Sequence, residues 1–333
     1  MSSALPPYTW EEALREFLLH KEAAFSPKTV RYYRAQLITL VRWAETEDIP
    51  LDRFGKRHMD RYLVERAKSG RRPLTIRHDC VCAKALLKWC SRNDILKRNP
   101  LAEYEVRRAP KPPRHMPTDE EMAALLRATR DYWDLNKNPA ARFQDGRKRA
   151  FHRDRNFAIL LGLADPACRI GEMLAFKVGD VRPREREAVV RESKGREPRV
   201  LPISPEWAEA LEVWLKVRAR IMAGQPDDEG WLFLTESGGK MDPLAFLRAF
   251  QRLRDFAGLP SAMCLHSIRR YSLNRLSKTD LLAAQRIAGH KETKTTLGYT
   301  ELDPAHVRGA HEAAGIARAI LGTRVENRRK RLI

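Results

Sequence analysis

Six polar side chains in the second half of the sequence are of types that can do chemistry. They are Arg169, Lys194, His266, Arg269, His290 and Tyr299. An arginine presents a planar fork of N–H donors that fits the oxygens of a phosphate or a carboxylate. Histidine exchanges protons near neutral pH, and a tyrosine oxygen becomes a nucleophile when its proton is removed. These types together suit acid–base and nucleophilic chemistry on an anionic substrate.

Each residue also has a structural explanation when it is taken alone. Arg169 could pair with Glu172, three residues further along the chain, and Lys194 could be a solvated turn residue. His266 could be a hydrogen-bonded core histidine, and Tyr299 could be an aromatic residue in a helix interface. The functional argument therefore depends on the order and spacing of the whole set.

That order and spacing resemble the tyrosine recombinases, the family of phage integrases and Xer-type resolvases. The matching elements are CRIGEML around Arg169, Lys194 in a predicted hairpin, His266-x-x-Arg269, Gly289-His290, and a tyrosine nine residues after His290. Five spaced elements in one order are a specific signal. The resemblance implies a site-specific DNA recombinase of integrase, transposase or resolvase type, which cleaves and rejoins DNA through a 3′-phosphotyrosyl intermediate.

The chemistry of such a reaction fits the residue types. Arg169 and Arg269 could bind the non-bridging oxygens of the scissile phosphate, and well-aimed donors of this kind can lower a barrier by about 3–4 kcal/mol each. The sequence has no compact Asp/Glu cluster at metal-binding spacing, so we expect no metal at the site. Because a phosphotyrosyl bond conserves the energy of the broken phosphodiester, no ATP or other cofactor is expected either.

The other site residues handle protons and the nucleophile. A phenol has a pKa near 10, so Tyr299 needs a partner that takes its proton, and His266 is the candidate base. The resemblance assigns Lys194 the role of general acid toward the departing 5′-oxygen. It also places His290 on the phosphate as support for the tyrosine. Glu172 is expected to orient Arg169 or a histidine without contacting the substrate itself.

The charge of the chain favours a polyanionic partner. Lysine and arginine number 63 against 43 aspartate and glutamate, which gives a formal net charge of +20 in 333 residues. An excess of this size attracts nucleic acid, although ribosomal and membrane-surface proteins share it. With the resemblance, it predicts double-stranded DNA as the partner.

The first hundred residues have helical periodicity. Ser26 and Pro27 predict a helix start, and apolar residues follow at helical spacing from Val30 to Ala44. A second helix from about Arg72 to Asp94 buries one apolar face. Its other face is predicted to be either solvated or in contact with DNA, and it carries Arg77, Lys84, Lys88 and Arg92.

Proline marks the domain boundary. The stretch APKPPRHMP at 109–117 has four prolines in nine residues and predicts an extended linker. We therefore expect a helical core-site DNA-binding domain at 8–108 and a catalytic domain at 118–302, which begins with a capping box from Thr118 to Glu121. The predicted fold class is mostly α with a small antiparallel β-sheet, in which an N-terminal helical domain precedes an α+β catalytic domain.

The catalytic domain is predicted to be mixed. REAVVRES and PRVLPIS favour a hairpin, with Lys194 near its turn and Pro202 at a sheet edge. Helices are predicted at about 118–132, at 153–175, from Asp242 to about Phe256, and from 267 onward. The polar, basic stretch 133–153 between the first two is predicted to be a loop or insertion, either solvated or an extra contact with DNA or a subunit.

Residues 303–333 are predicted to form a terminal helix and a basic tail. In related enzymes such a helix docks on the neighbouring subunit, so the resemblance implies a homo-oligomer with a dimer at each DNA site and a tetramer in synapsis. Few residues precede the first helix, so an additional arm-binding domain is not expected.

The sequence departs from the family pattern next to two of the predicted catalytic arginines. Pro166 and Ala167 stand where a Thr-Gly pair is more usual, and Arg270 stands where a histidine is common.

Three other functions use part of the same pattern. A type IB topoisomerase or telomere resolvase would use the same residues, and a non-catalytic DNA-binding protein would keep the fold. A metal-dependent nuclease is disfavoured by the missing carboxylate cluster.

The chain has neither a membrane span nor a secretory signal pattern, and its five cysteines have no Cys-x-x-Cys spacing. We therefore expect buried, reduced thiols in a cytoplasmic protein.

Overall fold

The computed structural model describes residues 8–106, 115–143, 145–191, 198–223, 225, 228–290 and 292–297. The chain divides into two compact units, Met1–Pro113 and Arg114–Ile333. The boundary between the units falls inside the predicted linker, and the finer domain limits stay a prediction.

In the described part of the first unit, four helices pack around one core. They are α1 (Trp10–Ala24), α2 (Pro27–Thr46), α3 (Lys56–Lys68) and α4 (Pro73–Arg92). The predicted start of α2 is confirmed, because the Ser26 side chain accepts a hydrogen bond from the Thr29 amide and Pro27 occupies the first helical position. The apolar stripe that follows is buried. Local caps and periodic burial thus account for this unit.

The second unit combines helices with a small sheet. Its elements are α5 (Asp119–Asp131), α6 (Gly146–Ala164), α7 (Ile170–Met173), β1 (Val181–Arg182), β2 (Glu187–Val190), β3 (Arg199–Pro202), α8 (Pro205–Met222), α9 (Pro243–Phe256), α10 (Leu265–Thr279), α11 (Leu281–Ala288) and α12 (Thr293–Leu297). The capping box predicted at the start of α5 is confirmed. The mostly helical fold class with one small antiparallel sheet is also confirmed.

The sheet has the order β1-β2-β3, with both pairs antiparallel. Residue Val190 lies opposite Arg199, and Glu187 lies opposite Pro202. The two predicted hairpin strands are therefore confirmed, and Pro202 lies on an edge strand as expected. Lys194 lies outside the described residues. The short strand β1 was not predicted, because two residues give no usable alternation.

The stretch predicted as a loop at 133–153 is partly helical. Residues 139–143 form a 3₁₀ turn, and α6 begins at Gly146 rather than near residue 153. The Asp145 side chain caps α6 by accepting a hydrogen bond from the Arg147 amide at 2.7 Å. The predicted helix 153–175 was also wrong in its extent, since the chain breaks between Ala164 and Ile170.

Tryptophans fill the core of the second unit. The Trp207 indole donates to the Ala158 carbonyl and the Trp214 indole to the Leu232 carbonyl, each at 2.8 Å. Gly162 of α6 lies directly against Trp207, because a Cβ at this glycine would be 2.4 Å from the indole ring. The helices α6 and α8 therefore pack closely at this point. Within the described ranges, no helix is long and apolar enough to cross a membrane.

The cysteines differ from the prediction at one position. Four of them are buried, and burial raises the pKa of the Cys168 thiol to about 12. Cys264 is exposed, because it precedes the first residue of α10 at the helix start instead of facing the core.

Candidate active site

The C-terminal end of α11 collects three arginines. The last carbonyls of a helix have no partner within the helix and carry partial negative charge, so they attract cations. The Ala288 carbonyl accepts hydrogen bonds from Arg169 Nη1 at 3.2 Å and from Arg269 Nη2 at 2.8 Å. The Ile287 carbonyl accepts from Arg199 Nε at 3.0 Å. One helix end therefore brings together guanidinium groups from α10, β3 and the residue before α7.

Arg169 is held on two sides and still reaches solvent. Its backbone amide donates to Glu172 Oε2 at 2.9 Å, and its Nη1 donates to Glu172 Oε1 at 3.0 Å. The pairing with Glu172 suggested as a structural role is therefore present. About a third of the Arg169 side chain (32%) remains exposed. Arg169 is thus held in place by Glu172 and Ala288 while part of its side chain stays accessible to solvent.

Arg269 is buried in α10, with 2% of its surface exposed. Its Nη1 donates to the Ala167 carbonyl, and its Nη2 lies 3.3 Å from His290 Nε2. Ala167 has a φ of 50°, a left-handed value that favours glycine. Ala167, which stands where the family more often has a glycine, therefore adopts a left-handed backbone conformation that a glycine would adopt more easily.

His290 is fixed by its two ring nitrogens and its backbone. Its Nε2 faces the Arg269 guanidinium, which only donates, and its Nδ1 lies 3.0 Å from the Thr296 hydroxyl. The contact with Arg269 suits the tautomer that accepts at Nε2 and carries its proton on Nδ1. The His290 amide donates to the Gln285 carbonyl at 3.2 Å. Only 8% of His290 is exposed.

Glu172 is a buried carboxylate between two arginines. Its Oε2 accepts from Arg199 Nη2 at 2.8 Å, in addition to its bonds with Arg169. Burial by itself raises the pKa of this carboxyl, but the hydrogen bonds and charges of Arg199 and Arg169 outweigh burial and hold the pKa below its ordinary value. Glu172 is therefore ionised and balances the positive charge around it.

The structure brings together three of the six predicted catalytic residues, Arg169, Arg269 and His290. His266 lies on α10, one helical turn before Arg269, with its side chain exposed. Lys194 and Tyr299 lie outside the described residues. Their roles stay predictions.

Arg199 is the residue of this site that sequence reasoning missed. On β3 it alternates with the exposed Val200 and shares a face with the buried Leu201. An arginine on the inward face of a strand is the signal that could have identified it. Arg199 also leaves little room for a side chain at position 289. A Cβ on Gly289 would lie 3.1 Å from Arg199 Cζ.

The four residues predicted to contact DNA lie along α4. Lys88 and Arg92 are exposed, and Arg77 and Lys84 are half-buried. The Lys84 ammonium donates to the Tyr104 carbonyl, so it is partly occupied within the chain. DNA contact by these four residues stays a prediction.

Comparison with known proteins places the chain in a family. Residues 134–306 match the model of the phage integrase family, and residues 14–93 match that of the phage integrase N-terminal SAM-like domain. The chain is 29% identical to the tyrosine recombinase XerC of Chromohalobacter salexigens over 313 residues, covering 91% of this chain and 95% of the relative.

Solved structures share the fold at lower identity. A lambda integrase tetramer bound to a Holliday junction matches with a TM-score of 0.69 at 15% identity, covering 89% of this chain and 78% of that one. The Tn1549 transposon integrase in complex with transposon right end DNA matches with a TM-score of 0.68 at 18% identity, covering 92% and 100%.

These matches agree with a helical unit followed by an α+β unit. The chain belongs to the phage integrase family, the tyrosine recombinases that the sequence resembles.

Proposed function

We propose that this chain is a site-specific recombinase that cleaves and rejoins double-stranded DNA with Tyr299 as the nucleophile. The observation that carries the proposal is the convergence of Arg169, Arg269 and His290 on one helix end. Arg169 and Arg269 contact the Ala288 carbonyl from 119 and 19 residues away along the chain. Preplaced positive charge in a buried site is what an attack on a phosphodiester requires.

In the proposed cleavage step, the Tyr299 oxygen attacks the scissile phosphorus and the bond from phosphorus to the 5′-oxygen breaks. The phenol proton goes to His266, and Lys194 gives a proton to the departing 5′-oxygen. Arg169, which is partly exposed, offers donors to a non-bridging oxygen. Arg269 adds a second positive charge from its buried position, where charges are weakly screened. The products are a 3′-phosphotyrosyl bond and a free 5′-hydroxyl.

Rejoining reverses these transfers with a different 5′-hydroxyl. That hydroxyl attacks the phosphotyrosyl phosphorus, loses its proton to Lys194, and releases Tyr299, which recovers a proton from His266. The number of phosphodiester bonds is unchanged, so the exchange needs no external energy source.

Assembly is proposed to follow the same scheme as in the lambda integrase tetramer on its Holliday junction. We infer a homo-oligomer on double-stranded DNA, with a dimer at each site and a tetramer in synapsis. Residues 303–333 lie outside the described residues and are proposed to dock on the neighbouring subunit. Deletion of residues 304–333 should abolish synapsis and leave binding to a single site.

Strand exchange between two duplexes tests the function. Two fluorescently distinct duplexes carry a binding site selected from a randomised pool, and they are incubated with the protein in EDTA. A recombinase yields junctions that carry both labels, whereas a type IB topoisomerase or telomere resolvase yields none between separate linear duplexes. A non-catalytic binding protein yields no cleavage. Cleavage that appears only when Mg²⁺ replaces the EDTA would indicate a metal-dependent nuclease instead.

A further inference from the structure

Arg199 makes contacts that its position on β3 does not require. Its Nε donates to the Ile287 carbonyl at 3.0 Å, and its Nη2 donates to Glu172 at 2.8 Å. Only 12% of the side chain is exposed. Its Nη1 is buried without a hydrogen-bond partner among the described residues. Burying a guanidinium with one donor unsatisfied is unfavourable, so an arginine here needs a reason beyond strand packing.

Arg199 contacts both groups of residues that hold Arg169, which are Glu172 and the last turn of α11. Glu172, which Arg199 holds, accepts the side chain and the amide of Arg169. Ile287, which Arg199 also holds, precedes Ala288, whose carbonyl accepts from Arg169 and Arg269. A small rotation of the last turn of α11 would therefore displace the shared acceptor of both arginines.

Gly289 shows that the space around Arg199 is restricted. A Cβ on Gly289 would lie 3.1 Å from both Cζ and Nη1 of Arg199, and its φ of 61° already favours glycine. The guanidinium therefore occupies the space that a side chain at residue 289 would take. Arg199 and the turn that leads to His290 are packed as one unit.

We propose that Arg199 is a positioning residue, which fixes Glu172 and the end of α11 so that the Arg169 guanidinium is aimed at the scissile phosphate. This inference rests on the proposed recombinase function. Arg199 itself does not touch the DNA. Its removal should misplace Arg169 without unfolding the domain.

Single-turnover cleavage of two linkages separates positioning from general stability. One nicked duplex carries the normal phosphate, and the other carries a methylphosphonate, which lacks the negative charge that Arg169 neutralises. A misplaced guanidinium can cost about 100-fold, so Arg199→Met should lower cleavage of the phosphate by roughly that factor. The loss on the methylphosphonate should be about tenfold smaller. Arg199→Lys, which keeps the charge, should recover part of the rate.

Arg218→Met is the matched control. Arg218 is also largely buried, with 7% of its side chain exposed against 12% for Arg199, and it also donates to one carbonyl (Trp231, 2.7 Å) and one carboxylate (Asp228, 2.6 Å). Its loss should lower the melting temperature and leave the ratio between the two linkages unchanged. An equal loss on both linkages for Arg199→Met, or no loss on either, would overturn the inference. If the wild-type chain forms no adduct on either linkage, the proposed function fails, and the inference fails with it.

A double-mutant cycle gives an independent check. Gly289→Ala should slow cleavage of the phosphate because its Cβ displaces the Arg199 guanidinium. In the Arg199→Met background the same change should cost distinctly less, because the displaced group is absent. Penalties that simply add would show that the two residues act separately and would contradict the proposed packing unit.

Discussion

Arg169 and Arg269 donate to the same oxygen, the carbonyl of Ala288, at 3.2 and 2.8 Å. Two like charges are therefore held side by side by the negative end of a helix, with the Glu172 carboxylate balancing one of them. The spacing between the two guanidinium groups is therefore constrained by an acceptor that belongs to the protein itself. Donors held in place by the fold need little reorganisation during a reaction.

Glu172→Gln should weaken the response of stability to acid. A carboxyl whose pKa is lowered by folding stabilises the folded chain at pH values above its ordinary pKa of 4.5. This contribution is lost as the pH falls through the lowered pKa. The difference in melting temperature between the wild type and Glu172→Gln should therefore shrink between about pH 6 and about pH 3. Glu212→Gln, at an exposed position on α8, should show no such trend. A constant difference across this range would contradict the ionised Glu172.

Thr296→Val should impair His290 without changing the volume of the site. The ring nitrogen Nδ1 of His290 would lose its contact with the Thr296 hydroxyl, and breaking a buried hydrogen bond of this kind costs about 1–3 kcal/mol. We expect cleavage to slow by about tenfold or more at neutral pH. Thr295, the exposed residue next to Thr296, provides the control. The Thr295→Val variant should cleave DNA at the wild-type rate. Equal rates for the two variants would show that the Thr296 hydroxyl does not hold His290.

Gly162→Ala should destabilise the second unit. The new methyl group would lie 2.4 Å from the Trp207 ring, and overpacking of this kind costs about 1–3 kcal/mol. Gly179→Ala is the control, because nothing lies within 4 Å of the Cβ built there. Urea unfolding followed by tryptophan fluorescence should show an earlier midpoint for Gly162→Ala alone. Identical midpoints would rule out the close packing of α6 on α8.

DNA binding should depend steeply on salt. Each phosphate neutralised contributes a slope of about −0.9 to the plot of log affinity against log salt. Lys88→Gln and Arg92→Gln should each make the slope shallower by about this amount, whereas Lys84→Gln should change it less because its ammonium bonds Tyr104. Arg15→Gln, exposed on α1, should leave the slope unchanged. Fluorescence anisotropy at several salt concentrations measures these slopes, and a salt-independent affinity would contradict DNA contact by α4.

Local signals made much of the fold predictable. The Ser26 cap, the Thr118 capping box and the start of α9 at Pro243 depend on residues within a few positions of each other. The strands β2 and β3 were predictable from β-rich runs separated by a turn. The early start of α6 was not, because the capping Asp145 stands in a stretch whose charged residues conceal helical periodicity.

Part of the candidate site could be predicted from the sequence, but its organisation could not. The spacing of the motifs pointed to Arg169, Arg269 and His290, which meet at the end of α11, but no local pattern shows that one carbonyl serves both arginines. That carbonyl belongs to Ala288, which carries no functional side chain and is 119 residues from Arg169. Arg199 was missed for the same reason, since its partners Glu172 and Ile287 are 27 and 88 residues away.

Covalent capture on a nicked duplex tests the central claim most directly. A nick beside the scissile phosphate lets the short 5′-hydroxyl strand diffuse away, so the cleaved complex accumulates. In EDTA, the wild-type chain should form a denaturation-resistant DNA adduct that peptide mapping places on Tyr299, and Tyr299→Phe should bind the same duplex without forming it. An adduct that persists in Tyr299→Phe, or a wild-type chain that cleaves only with added metal, would contradict the account.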